Sequence, residues 1–192
     1  MTNHFKTLDL PQAAALTDEE IQSAYLQKSK TAHPDQAGGD TQIAAAINEA
    51  REILAHPEKR LKHLLELKGH TEWKAVPMDE TYMNVFSKLG STLPKTRTFT
   101  EKASRSQSAL TKALLASEEM LLRETLEEIG SEIASLRTAL LQSLQGFDAR
   151  ISQGDEKVWA DLYATQARLS YTAKWQAQVR EALLHLQTML LH

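Results

Sequence analysis

Three consecutive residues, His33, Pro34 and Asp35, are the best candidates in this chain for contact chemistry. An imidazole and a carboxylate can hydrogen-bond to a polar or charged surface, and the proline between them fixes the backbone. Lys28 and Lys30 lie just before them and would speed encounter with an acidic partner. The tripeptide therefore predicts an exposed docking loop, and the alternative is an ordinary solvated loop in which Asp35 caps locally.

Other patterns that could support chemistry are weaker. His56, His63 and His70 recur every seven residues near Glu66, which suits a metal site, although a solvated helix face explains them more simply. A second pattern is an acidic helix face that could be a partner surface or a plain solvated face; its residues are Glu124, Glu127, Glu128 and Glu132. No catalytic triad, phosphate loop or paired-carboxylate site stands out, so we expect no enzymatic activity, no cofactor and no metal.

Two amphipathic helices are predicted to position the tripeptide, one over Thr17 to Ala32 and one over Thr41 to Ala55. Thr17 and Glu20 have the spacing of a capping box at the start of the first helix. A further helix is predicted from Pro57 to Gly69, because proline suits a first helical turn and glycine a helix end. The loop is therefore expected at the tip of a helical hairpin.

The remainder of the chain is also predicted to be helical. Residues 71–97 contain two prolines and a glycine and are interpreted as a linker with one short helix from Glu80 to Leu89. Apolar residues at helical spacing then predict helices over Phe99 to Ala116, from Ser117 to a break at Gly154, and beyond that break. The predicted fold is all-α, with an N-terminal domain over residues 1–70 and a C-terminal antiparallel helical bundle over residues 98–192.

Composition limits the classes of function. The absence of cysteine excludes disulfides and thiolate chemistry within this chain. A formal net charge of −3 gives no argument for nucleic-acid binding. The sequence contains no apolar run of signal-peptide or membrane-span length, so we expect a cytoplasmic protein without a membrane partner.

Residues 3–68 resemble the J domain of DnaJ-type co-chaperones. The residues that carry this resemblance are Phe5, Leu8, Glu20, Ile21, Ala24, Tyr25, His33, Pro34, Asp35, Ile47, Asn48, Glu49, Ala50, Leu54, Pro57 and Arg60. The resemblance implies docking on a DnaK-type chaperone and stimulation of ATP hydrolysis by that partner. It also implies that the chaperone-binding residues are His33, Pro34, Asp35, Lys28 and Lys30.

The segment from His56 to Gly69 is similar to the end of the J domain in the HscB family, and the order of J domain and helical bundle is also that of HscB proteins. This likeness implies iron–sulfur cluster assembly, with the bundle delivering an iron–sulfur scaffold protein or another client. HscB proteins hold the scaffold with an acidic segment, whereas Thr100 to Leu115 is net basic in this chain.

A second hypothesis is a J-like helical adaptor module without ATPase-stimulating activity. It is favoured by Leu26 and Gln27, which occupy positions where the family favours Arg and Lys. Stimulation of a chaperone's ATP hydrolysis would distinguish the two hypotheses.

Overall fold

The computed structural model describes residues 2–32, 41–72, 74–105 and 109–189. These described residues contain helices and no strand, which confirms the predicted all-α fold class. The helices are α1 His4–Thr7, α2 Asp18–Ala32, α3 Thr41–Ala55, α4 Pro57–Leu67, α5 Glu80–Ser104, α6 Ala109–Ser152 and α7 Val158–Met189. Within the described ranges, no helix is long and apolar enough to cross a membrane.

The chain divides into two compact units. One unit consists of Met1–Ala75 and Leu140–Ser170, and the other of Val76–Ala139 and Tyr171–His192. The long helices α6 and α7 therefore each contribute residues to both units. The predicted division into an N-terminal domain over residues 1–70, a linker over residues 71–97 and a bundle over residues 98–192 stays a prediction.

The first unit is built on a core shared by α1 to α4 and parts of α6 and α7. Each of these helices turns apolar residues inward, as expected for amphipathic helices. The largest fully buried side chains of this core are Phe5, Leu8, Ile21, Leu54, Leu61, Leu64, Leu65, Leu162 and Leu169. The predicted bounds of α4 are confirmed, since Pro57 opens it and Gly69, with a φ of +84°, follows its end.

The second unit corrects the sequence prediction for α5. One continuous helix covers Glu80–Ser104, so the predicted break between a short helix ending at Leu89 and another beginning at Phe99 is wrong. Buried residues on both sides of Pro94 keep one apolar face turned to the core. Pro94 and Gly90 are exposed, so water can reach the Gly90 carbonyl that Pro94 leaves without its helical donor. Core packing thus outweighs the local signal to stop.

The start of the next helix also differs from the prediction. Helix α6 begins at Ala109 instead of Ser117. Between α6 and α7, Gly154 has a φ of +74°, and the predicted break at this glycine is confirmed. The N–H of Asp155 donates to the carbonyl of Arg150 at 3.1 Å and closes the end of α6.

Two histidines meet inside the first unit. The backbone N–H of His4 donates to Nε2 of His63 at 3.1 Å, and the rings are 4.6 Å apart between centroids. The ring of Phe5 stacks on His63 at 5.6 Å. Because Nε2 accepts a hydrogen bond, His63 is neutral here. Burial, and after it the neighbouring His4, lower the pKa of His63 to about 4.

This contact predicts a pH-dependent loss of stability. An unfolded histidine has a pKa of about 6.5, so the unfolded chain binds more protons than the folded chain between about pH 6.5 and 4. The stability that His63 contributes is complete above pH 6.5 and is lost as the pH falls toward 4, by about 3 kcal/mol. Urea unfolding at a series of pH values measures this loss.

The control is His63→Gln, which keeps a hydrogen-bond acceptor and removes the titrating group. Its free energy of unfolding should fall less steeply than that of the wild type over the same pH range. Equal slopes for the two proteins would show that His63 does not carry the pH dependence.

Candidate functional site

The candidate site is the tip of the α2–α3 hairpin. His33, Pro34 and Asp35 lie between the end of α2 at Ala32 and the start of α3 at Thr41, outside the described residues. Their role as a docking loop therefore stays a prediction. The two helices on either side of them are described, and these helices fix where the loop begins and ends.

Helix α2 begins with the predicted capping box, which is confirmed. The N–H of Thr17 donates to Oε2 of Glu20 at 2.7 Å, and the N–H of Glu20 donates to Oγ1 of Thr17 at 3.2 Å. The pKa of Glu20 is lowered, first by the hydrogen bond from the Thr17 backbone and then by that from its hydroxyl. The start of α2 is thus set by a local sequence signal.

Polar contacts join α2 to α3 above their shared apolar core. The hydroxyl of Tyr25 donates to Oδ1 of Asn48 at 3.0 Å. Nε of Arg51 donates to Oε1 of Gln22 at 3.2 Å, and its guanidinium lies 4.9 Å from the centroid of the Tyr25 ring. Arg51 was not singled out as a functional residue from the sequence, because nothing local reveals that it reaches across to α2.

The two lysines predicted to aid docking have different surroundings. Lys28 is half-buried and forms an ion pair with Asp9, which has a left-handed φ of +54°. Lys30 is exposed in the last turn of α2. Much of the positive charge of Lys28 is therefore balanced within the chain, while Lys30 faces solvent close to the tripeptide in sequence.

The entry to α2 is held by a residue far away in sequence. The carboxylate of Asp148 on α6 accepts the N–H of Ala14 at 2.7 Å and the N–H of Ala15 at 2.9 Å. A single carboxylate thus holds two successive backbone groups just before the capping box. Sequence reasoning missed Asp148, since a lone aspartate on a long helix carries no local sign of a partner more than 130 residues away.

Arg60 also binds the same loop. It is only 2% exposed, and it donates from Nε to the Ala14 carbonyl at 3.2 Å and from Nη1 to the Leu54 carbonyl at 2.6 Å. Burial lowers the pKa of Arg60, while nearby carboxylates including Asp18 and Asp148 oppose this shift. The arginine therefore connects the loop, the end of α3 and the start of α4.

The histidine pattern does not gather into a metal site. His63 is buried against His4, His70 stacks on Trp159 at 4.9 Å between centroids, and Nε2 of His56 lies 3.4 Å from a Glu52 oxygen. Over the described part of the chain, no group of three or more possible metal ligands comes together. The three histidines that recur every seven residues therefore make three separate contacts, within α4 and at its two ends.

The second unit offers a different kind of surface. Met83 and Phe86, three residues apart on α5, are about half exposed. In the predicted acidic face, Glu132 pairs with Lys88 at 2.5 Å, whereas Glu124, Glu127 and Glu128 are exposed. Exposed apolar side chains beside charged ones are typical of protein contact surfaces.

Three comparisons place these features among known proteins. The DnaJ domain family model matches residues 3–63. A co-chaperone protein HscB homolog of Burkholderia thailandensis is 36% identical over 75 residues, which cover 35% of this chain and 43% of that protein. A chaperone protein DnaJ of Caldicellulosiruptor saccharolyticus is 39% identical over 64 residues, covering 32% of this chain and 16% of that protein. The sequence likeness thus spans less than half the length of these relatives.

The similarity in structure extends further along the chain. The chaperone HscB from Vibrio cholerae matches with a TM-score of 0.54 and 21% sequence identity, covering 94% of this chain and 96% of that one. At this identity the match shows the fold alone. The sequence evidence for the tripeptide and its hairpin, by contrast, comes from the DnaJ domain match.

The contacts around the hairpin entry lead to a stability prediction. Asp148→Ala leaves the N–H groups of Ala14 and Ala15 without their acceptor, so we expect the free energy of unfolding to fall by about 2 kcal/mol. Asp148→Asn keeps one acceptor oxygen and should lose about half as much. Urea denaturation of the full chain measures both, and an Ala variant as stable as the wild type would show that this contact contributes nothing.

Proposed function

We propose that this chain, which carries a DnaJ domain over residues 3–63 and has the HscB fold, docks on a DnaK-type chaperone and stimulates its ATP hydrolysis. The observation that carries the proposal is the DnaJ domain match, because it includes the tripeptide together with the helices on both sides of it. The chaperone performs the hydrolysis, and this chain supplies the contact that accelerates it. The cytoplasmic location expected from the sequence stays a prediction.

In this proposal the tripeptide is the main contact. Pro34 restricts the backbone of the loop, and His33 and Asp35 offer an imidazole and a carboxylate to polar groups of the chaperone. Lys30, exposed at the end of α2, adds positive charge that favours encounter with an acidic surface. Lys28 supports docking less directly, because its ammonium already pairs with Asp9.

Substitution of His33 tests this role. His33→Gln should reduce the stimulation of single-turnover ATP hydrolysis at least tenfold, because the imidazole contact is lost. The stability of the protein should change by no more than about 0.5 kcal/mol, as for other loop substitutions. The measurement uses the DnaK-type chaperones of the same organism, with the rate recorded at several concentrations of this protein.

A matched control is His185→Gln, the same substitution at an exposed position of α7 in the second unit. It should stimulate as the wild type does. If His33→Gln and the wild type stimulate equally, the tripeptide is not the contact.

The alternative is a J-like adaptor that binds a chaperone without accelerating its ATP hydrolysis. The observation that favours it is the weak positive charge of α2, whose exposed residues include Leu26 and Gln27 and whose Lys28 is paired. Chaperone binding by the wild type without any stimulation of hydrolysis would support this alternative.

The second unit is proposed to hold a client protein. The resemblance to the HscB family implies an iron–sulfur scaffold as that client. The charge of this chain favours another client, since Thr100 to Leu115 carries Lys102, Arg105 and Lys112 against Glu101 alone. Exposed Met83 and Phe86 on α5 suit a protein partner of either kind.

Titration calorimetry distinguishes the two clients. The full chain is titrated with the iron–sulfur scaffold of the same organism, because a fragment beginning at residue 98 would cut through α5. We expect no binding in the micromolar range, since HscB proteins hold the scaffold with an acidic segment and Thr100 to Leu115 is net basic here. Micromolar binding that Phe86→Ser weakens would instead establish scaffold delivery through α5.

A further inference from the structure

The second unit has a groove between α6 and α7. Its volume is about 350 Å³, and the residues that line it include Gly130 of α6 and Val179 of α7. A Cβ atom added at Gly130 would lie 3.5 Å from Cγ1 of Val179, so these two residues face each other across the helix pair. Gly130 and Val179 therefore show which parts of α6 and α7 lie at the same height along the groove.

Apolar side chains are exposed along this groove. Leu184, which lines it on α7, is 53% exposed. Met120 is 59% exposed and lies two helical turns before Glu127, a lining residue of α6, so Met120 and Glu127 are on the same side of that helix. Arg123 lies between them and donates from Nε to Oε1 of Glu119 at 2.9 Å. Exposed apolar groups beside charged ones are typical of a contact between proteins.

Two charged residues of opposite sign line the groove and are available to a partner. Glu127 on α6 and Arg180 on α7 are both exposed, and neither forms an ion pair with another residue that the structure describes. Glu127 is one helical turn from Gly130, and Arg180 follows Val179, so the two charges are only about 5 Å apart along the helix axes. A partner that covers the groove is therefore favoured if it offers an anion to Arg180 and a cation to Glu127 at nearly the same height.

We propose that the α6–α7 groove is the interface of a homodimer, in which a second copy of this chain covers it. A two-fold axis that runs along the groove lays α6 of one copy over α7 of its partner. Glu127 of each copy then meets Arg180 of the partner subunit, and the same ion pair forms twice. The charges that complement the groove are thus already present in this chain, which favours a second copy over an unrelated protein. This inference does not depend on the proposed function.

The size of the patch sets the strength of this dimer. The face from Met120 to Gly130 is about 15 Å long, and two adjacent helices are together about 20 Å wide. The patch is therefore on the order of 300 Å² on each copy, well below the roughly 800 Å² per partner of a standard stable interface. We accordingly expect a weak dimer, with a dissociation constant on the order of 100 µM.

Sedimentation velocity of the full chain from about 1 to about 500 µM tests the dimer. The wild type should pass from monomer to dimer over this range. Leu184→Asp should raise the dissociation constant at least about tenfold, because it places a charge within an apolar contact. The matched control is Leu121→Asp, which alters a leucine of 65% exposure on the side of α6 where Glu132 pairs with Lys88 of α5. This control should dimerise as the wild type does.

An exchange of charges tests the two-fold pairing itself. Arg180→Glu makes two carboxylates face each other at each contact, and Glu127→Arg makes two guanidinium groups do so. Each variant alone should therefore dimerise about tenfold more weakly than the wild type. An equimolar mixture of the two variants restores opposite charges at both contacts. The mixture should form a heterodimer with a dissociation constant close to that of the wild-type dimer.

Three results would overturn the inference. A wild type that stays monomeric over the whole range would leave the groove to a helix of another protein. A wild-type dimer that Leu184→Asp does not weaken would place the contact elsewhere. A mixture of the two charge variants that does not associate would exclude the two-fold pairing of Glu127 with Arg180.

The readouts separate a lost interface from a lost fold. All variants should keep the wild-type melting temperature, since each alters an exposed side chain. Sedimentation requires no chaperone, so failure of the dimer and failure of the proposed function are observed independently.

Discussion

The carboxylate of Asp148 is the contact on which the entry to α2 depends. It accepts two successive backbone N–H groups, those of Ala14 and Ala15, immediately before the capping box that starts α2. Buried N–H groups without an acceptor are costly, and Ala14 is fully buried. The path of this loop is therefore tied to α6. Since the loop leads into α2, the place where α2 begins depends on a residue outside the DnaJ domain match.

The buried guanidinium of Arg60 forms further hydrogen bonds with the backbone around the entry to α2. A charged group that is 2% exposed is tolerated because backbone carbonyls of Ala14 and Leu54 accept its hydrogen bonds. An apolar side chain of similar volume could fill the same space, but it would leave these carbonyls without donors. Arg60 thus donates to a carbonyl of the loop, and Asp148 accepts from two of its N–H groups.

Local signals predicted the hairpin well. The capping box of Thr17 and Glu20 and the proline at the start of α4 each act within one helical turn, so the sequence contains all the information they need. The continuity of α5 through Pro94 could not be predicted in this way, because burial against the second unit's core outweighs the local preference. The contact of Asp148 could not be predicted from local sequence either, since only folding of the chain brings Asp148 to Ala14. The tripeptide was found from its residue types and its place between two helices, and its contacts lie outside the described residues.

The ion pair between Lys28 and Asp9 reduces the positive charge that α2 presents to solvent. A half-buried lysine is tolerable if its aliphatic stem covers apolar surface and its ammonium reaches a counter-charge. Asp9 provides that charge from a left-handed backbone conformation, which aspartate adopts more readily than most residues. A pair that is partly exposed adds little stability, so its main effect is on what α2 presents to a partner. With Lys28 engaged in this way, the exposed residues toward the end of α2 include the apolar Leu26 and the basic Lys30.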